Sequence, residues 1–190
     1  MKEAYHSEQT FERKDFTNGK MLEADFEACT FIACDFSEAD LSLMDFISCH
    51  FVACNFSLAR LNGTLFQEST FQDCKMLGLS FENCNKFGFS AVFDHCVLDN
   101  SSFYQVKMPG TNFKKCHLHH VDFSEADLLA SSFTNSDLEN AIFEGSNLEK
   151  TDFRGAVNFV IDPEKNRLKL SKFYKADLSG LLLKYKLQIE

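Results

Sequence analysis

Residues 26–41 read FEACTFIACDFSEADL, and their spacing decides the fold. A large apolar side chain falls at Phe26, Phe31, Phe36 and Leu41. A small one sits two places earlier, at Ala24, Cys29, Cys34 and Ala39. A period of five is neither the 3.6 of a helix nor the 2 of an ordinary strand. Within each five, the small and the large residue share parity, so in an extended segment both face one way and the residue between them faces the other. The residues that follow turn a corner. Each five is a short strand and a bend, and the chain winds around an axis.

The same spacing runs from Phe11 and Phe16 through Met21 to Phe81, and every centre is Phe, Leu or Met. It fails at Lys86, resumes two residues out of phase at Phe93 and continues to Phe153. Five glycines, Gly63, Gly78, Gly110, Gly145 and Gly155, stand two places after a centre, where a corner needs positive φ. Pro109-Gly110 is a type II turn signature. Cys34, Cys54 and Cys74 recur at twenty residues, as do Met21, Leu41 and Leu61, so a coil has four sides. The reading is an all-β solenoid, a quadrilateral β-helix of about seven coils. Its axis is filled by Phe31, Phe36, Phe51, Phe56, Phe113, Phe123, Phe133 and Phe143, among others, in offset stacks. Residues 1–10 form an N-terminal cap or tail, 11–157 the solenoid, and 158–190 a linker, a last partial coil and a helix.

The stretch 82–92, ENCNKFGFSAV, carries the phase shift and reads as a small bulge, with a kink or a partner contact as the sharper alternative. The tail ADLSGLLLKYKLQIE reads as a short α-helix. Leu178, Leu181, Leu182 and Tyr185 follow helical spacing on one side, and Leu183 and Leu187 point the other way. A helix apolar on two faces wants two surfaces. One plugs the open end of the tube. The other meets a second copy, which makes Leu181, Leu182, Leu183, Tyr185 and Leu187 the expected homodimer interface.

The formal charge is −9, which argues against direct nucleic-acid binding. Residues 1–153 hold 24 acidic and 11 basic residues, net −13, whereas 154–190 hold 4 and 8, net +4. From His117 to Glu149 inclusive there are seven acids and no Lys or Arg. The acidic surface belongs to the tube, and its candidate partner contacts are Asp122, Glu125, Asp127, Asp137, Glu139 and Glu144. There is no apolar leader and no run of membrane-spanning length, so the expected address is the cytoplasm, with no membrane contact.

Little points to catalysis. All eight Cys occupy the small inner position of their repeat, where a free thiol serves as a small buried hydrophobe. Cys116-His117-Leu118-His119-His120 is the best metal candidate, but Cys116 faces in while the histidines face out. No glycine-rich phosphate loop, GxSxG or HExxH occurs. A filled tube offers no catalytic pocket. No enzyme, metal or cofactor is expected.

Ala39-Asp40-Leu41, Ala126-Asp127-Leu128 and Ser136-Asp137-Leu138 carry an A-(D/N)-L-x-x pattern, and through it the chain resembles the pentapeptide-repeat family. That resemblance implies a right-handed coil. The regular tube with one interruption and the ending LLLKYKLQIE look like the Qnr and MfpA group within the family. The stretch NFVIDPEKNRLKLSKF also looks like the linker before that group's cap helix. The resemblance implies a C-terminal dimer that mimics DNA and binds a type II topoisomerase, DNA gyrase or topoisomerase IV. It also implies a changed response of that enzyme to quinolones or natural gyrase toxins. Registers 11–81 and 93–153 leave no room for the projecting loops that some Qnr proteins carry, so the chain reads as a loop-free member. The rival reading is an acidic scaffold or interaction module with no topoisomerase role.

Overall fold

The computed structural model describes residues 4–17 and 24–188. The predicted centre Met21 lies outside the described residues. Ten short strands are present: β1 (Ala4–Ser7), β2 (Thr10–Glu12), β3 (Ala24–Glu27), β4 (Thr30–Ile32), β5 (Asp45–Ile47), β6 (His50–Val52), β7 (Leu65–Gln67), β8 (Ser69–Gln72), β9 (Ala91–Asp94) and β10 (Asn112–Lys114). All pair in parallel, in the orders β1-β3-β5-β7 and β2-β4-β6-β8-β9-β10. Phe31 pairs with Phe51, and Phe51 with Phe71, so the coil takes the twenty residues that the cysteine spacing predicts. Beyond β10 the wall continues as single bridges, including Asp122 with Ile142 and Asp152 with Lys172.

The core is built from rings. One column runs Phe11, Phe31, Phe51, Phe71, Phe93, Phe113, Phe133, Phe153 and Phe173, each ring nearly parallel to the next at 4.8–5.2 Å. Phe113 also meets Phe103 and Phe123 edge-on at 5.5 and 5.6 Å. Offset stacking along the axis and edge-to-face contact across it are the two favoured aromatic geometries, here used together. Aliphatic centres such as Leu118, Leu128, Leu138 and Leu148 are buried alongside them.

The small inner position has a second job. Cys54 Sγ donates to the Phe31 carbonyl one coil back at 3.4 Å, Thr64 Oγ1 to Leu41 at 2.8 Å and Ser136 Oγ to Phe113 at 3.0 Å. Cys, Ser and Thr are interchangeable there because each is small and carries one donor. Burial raises the thiol of Cys49 to about 12, in keeping with an unreactive role. Corners adopt positive φ whether or not they hold glycine: Gly110 has φ 76°, but Leu58 has 60° and Ala28 has 51°. Most such corners donate their amide to the next coil, as Ala28 does to Ile47 and Leu58 to Leu77, both at 2.9 Å. That bond offsets the roughly 1–2 kcal/mol of left-handed strain. Around Pro109-Gly110, the Thr111 amide reaches the Met108 carbonyl at 3.3 Å, closing the predicted turn.

The interruption is confined to one side. Phe71 stacks on Phe93 at 5.2 Å, so the first column passes through without a gap. The sheet that ends at β7 is the one that stops. Here the chain makes a 3₁₀ turn over Phe81–Asn83, swings out through Phe87 and Gly88 (φ 86°) and returns with Phe89 packed edge-on to Phe81 at 6.1 Å.

At the C-terminus the predicted helix is present but wound as 3₁₀, over Lys175–Leu181 and Leu183–Tyr185 rather than as α-helix. Its amides bond three residues back, Asp177 to Tyr174, Leu182 to Ser179 and Tyr185 to Leu182, while the Gly180 carbonyl accepts from Ile161 at 3.1 Å. Gly180 is pressed against Phe159, and Lys184 Nζ bridges Asp162 and Glu164 at 2.6 and 2.8 Å. Leu181 packs on the core. Tyr185, one of the expected dimer-interface residues, is 50% exposed, with its hydroxyl bonded to Glu164 at 2.9 Å.

Candidate partner-binding surface

The outward residue of each strand lies between two buried neighbours, so its side chain projects from the wall. Asp122, Asp127 and Asp137 occupy such positions on three consecutive faces, bridged along the axis to Ser102, Lys107 and His117 respectively. Glu125 sits at a corner with φ 56°, between the faces of Asp122 and Asp127. Glu139 and Glu144 each follow a centre and are exposed. All six predicted acids therefore fall within two coils and wrap three of the four sides.

The structure divides them by what they touch. Glu144 pairs with Lys165 at 2.8 Å. Asp137 Oδ2 lies 3.0 Å from His119 Nε2, and its other oxygen accepts from Asn158 at 2.8 Å. Burial opposes ionisation of Asp137, but these partners outweigh it and hold the carboxyl below its ordinary range. Asp137 in turn raises the pKa of His119. Asp122, Glu125, Asp127 and Glu139 make no ion pair among the described residues. Glu125 and Asp127 are instead held by neutral donors, Gln105 and Asn147, both at 2.6 Å. Those four acids keep their charge available to a partner.

The basic C-terminal segment supplies the neutralisation: besides Lys165, Arg154 pairs with Asp152 and Arg167 with Glu149. Sequence reasoning missed His119 as a member of the acidic surface. The only available signal was that His119 and Asp137 lie a little under one coil apart. It also missed Asp99, whose carboxylate accepts the His119 amide at 3.0 Å. Among the described residues no group of three or more His, Cys, Asp and Glu is placed to hold a metal ion. Cys116 points inward to the Phe93 carbonyl, and His117 meets His119 only edge-on. Among the described residues no helix is long and apolar enough to cross a membrane.

A parallel solenoid with five-residue sides, a ring-filled axis and an acidic wall defines a class of repeat protein. The sequence matches the pentapeptide repeat region over residues 81–153 and pentapeptide repeats over 15–46 and 49–85, and the chain belongs to the pentapeptide-repeat family. No curated protein matches it. Its fold is similar to a trypsin-treated variant of QnrB1, a plasmid-mediated fluoroquinolone resistance protein. The TM-score is 0.65 and the identity 18%, covering 98% of this chain and 97% of that one. It is similar to the same degree to HetL, a pentapeptide repeat protein involved in heterocyst differentiation regulation in the cyanobacterium Nostoc sp. There the TM-score is 0.66 and the identity 16%, covering 89% and 85%.

Proposed function

We propose that this chain is a DNA mimic that binds a type II topoisomerase, DNA gyrase or topoisomerase IV, and modulates its inhibition by quinolones or natural gyrase toxins. The observation that carries the reading is acid on three consecutive sides of a narrow rod. The column from Phe11 to Phe153 takes seven steps and Phe173 adds an eighth, giving about 38 Å at the usual strand spacing. Residues 1–153, net −13, give about two negative charges per coil, against about three for duplex DNA over the same rise. A groove built for duplex DNA meets similar charge at similar spacing. The fold shared with QnrB1 agrees with this reading without carrying it.

Dimerisation through the C-terminal cap would double the rod. Leu183, Tyr185 and Leu187 are 55%, 50% and 58% exposed, and Leu182 is half-buried beside them. The protein acts by binding, as a cytoplasmic non-enzyme without cofactor, and does not itself hold nucleic acid.

The test is a gyrase supercoiling assay titrated with this protein, with and without a fluoroquinolone. Inhibition without drug, or rescue with it, is the expected result. A folded dimer with no effect in either condition would reject the reading and leave an acidic scaffold, a role for which the equal likeness to HetL leaves room.

A further inference from the structure

Where the sheet ends at β7, the outward swing of the chain opens a cleft of about 700 Å³ beside the wall. Pockets of about 300–1,000 Å³ are the usual size for small organic ligands. Phe89 and Val106 line it, and Phe87, 88% exposed, stands at its side. Both signs of charge line it too. Glu82 has a carboxylate oxygen shielded from solvent and without a hydrogen-bond partner. Such an atom is destabilising until a donor reaches it. Lys86 and Lys107 make no ion pair among the described residues, although both face the cleft. Glu125 and Asp127 line it too, each bonded to a neutral donor, Gln105 and Asn147, that leaves its negative charge unanswered.

We infer that this cleft binds a small aromatic zwitterion, with one ammonium and one carboxylate on a flat apolar body. The ammonium pairs with the Glu82 carboxylate at the cleft wall. The carboxylate satisfies Lys86 and Lys107. The ring covers Phe87 and rests against Phe89 and Val106. A plain cation would meet two lysines, and a plain anion would meet Glu82, Glu125 and Asp127, so a ligand of either single charge leaves one set unmatched.

Three indole probes isolate the charges: L-tryptophan carries both, tryptamine only the ammonium and indole-3-acetate only the carboxylate. The protein has four Tyr but no Trp, so indole fluorescence excited beyond the tyrosine band reports the probe alone. L-tryptophan is expected to bind saturably, and each single-charge probe about tenfold more weakly, the worth of one charged hydrogen bond. Glu82→Gln should erase the preference for L-tryptophan over indole-3-acetate. Phe87→Ala should weaken all three without moving the melting temperature, because that ring is outside the core. No saturable binding in the millimolar range, equal binding of all probes, or a preference unchanged in Glu82→Gln would overturn the assignment. The measurement needs no topoisomerase, so it stands or falls apart from the function proposed above.

Discussion

A phenylalanine on the axis is gripped from four directions. Phe113 has parallel rings at 5.0 and 5.1 Å and edges at 5.5 and 5.6 Å, and no exposed surface. Phe113→Ala should lower stability by about 3–5 kcal/mol in denaturant melts, because the coils above and below are fixed and the cavity cannot collapse. His119 and Asp137 give a charge-dependent case. The native pKa of His119 is raised, so its contribution is complete below about pH 6.5 and is lost as pH climbs through the native value. That of Asp137 is lowered, so its contribution is complete above about pH 3.9 and is lost as pH falls through its native value. The pair is therefore strongest between about pH 4 and 6.5. Melting curves of His119→Asn and wild type should differ most there and converge in alkaline buffer. The gap should be small, about 1 kcal/mol or less, because both side chains are partly solvated.

At the scale of the element, the C-terminal cap depends on a close approach. A β-carbon at Gly180 would lie 2.4 Å from the Phe159 carbonyl oxygen. Gly180→Ala should loosen the cap, seen as faster amide exchange at Ile161, whose amide bonds Gly180, and as a lower melting temperature. The solenoid was legible because large, small and outward positions recur at fixed offsets, and inward packing enforces each of them. The cap was legible only as helical spacing. Its 3₁₀ winding was not, and neither was the bond from the Ile161 amide to the Gly180 carbonyl, a contact that no local pattern encodes. The swing at 82–92 showed as a lost register, but the cleft beside it depends on Val106 and Lys107, which belong to the following coil. The acidic surface was readable as composition. Which acids stay unpaired was not, since that depends on where Lys165, Asn158 and His119 come to rest.

For the whole molecule, unpaired charge is what a basic groove would feel. Replacing Asp122, Glu125 and Glu139 together by their amides should weaken topoisomerase binding and flatten its dependence on salt. Asp137→Asn should change binding less, because His119 already answers that carboxylate. Titrations at several ionic strengths would separate the two variants. A further consequence follows from the twenty-residue register. Every coil offers the same two surfaces to its neighbours, so a duplicated or deleted block of twenty codons returns each ring to its column and changes only the length of the rod. Blocks that are not a multiple of five put apolar side chains outside, and five, ten or fifteen residues move each ring to another column. The twenty-two-residue step from Phe71 to Phe93 departs from this register, and the described chain accommodates it by pushing the surplus out of the wall. Gene lineages built on this frame can therefore vary length in whole coils by recombination, and can acquire surface features wherever the count slips.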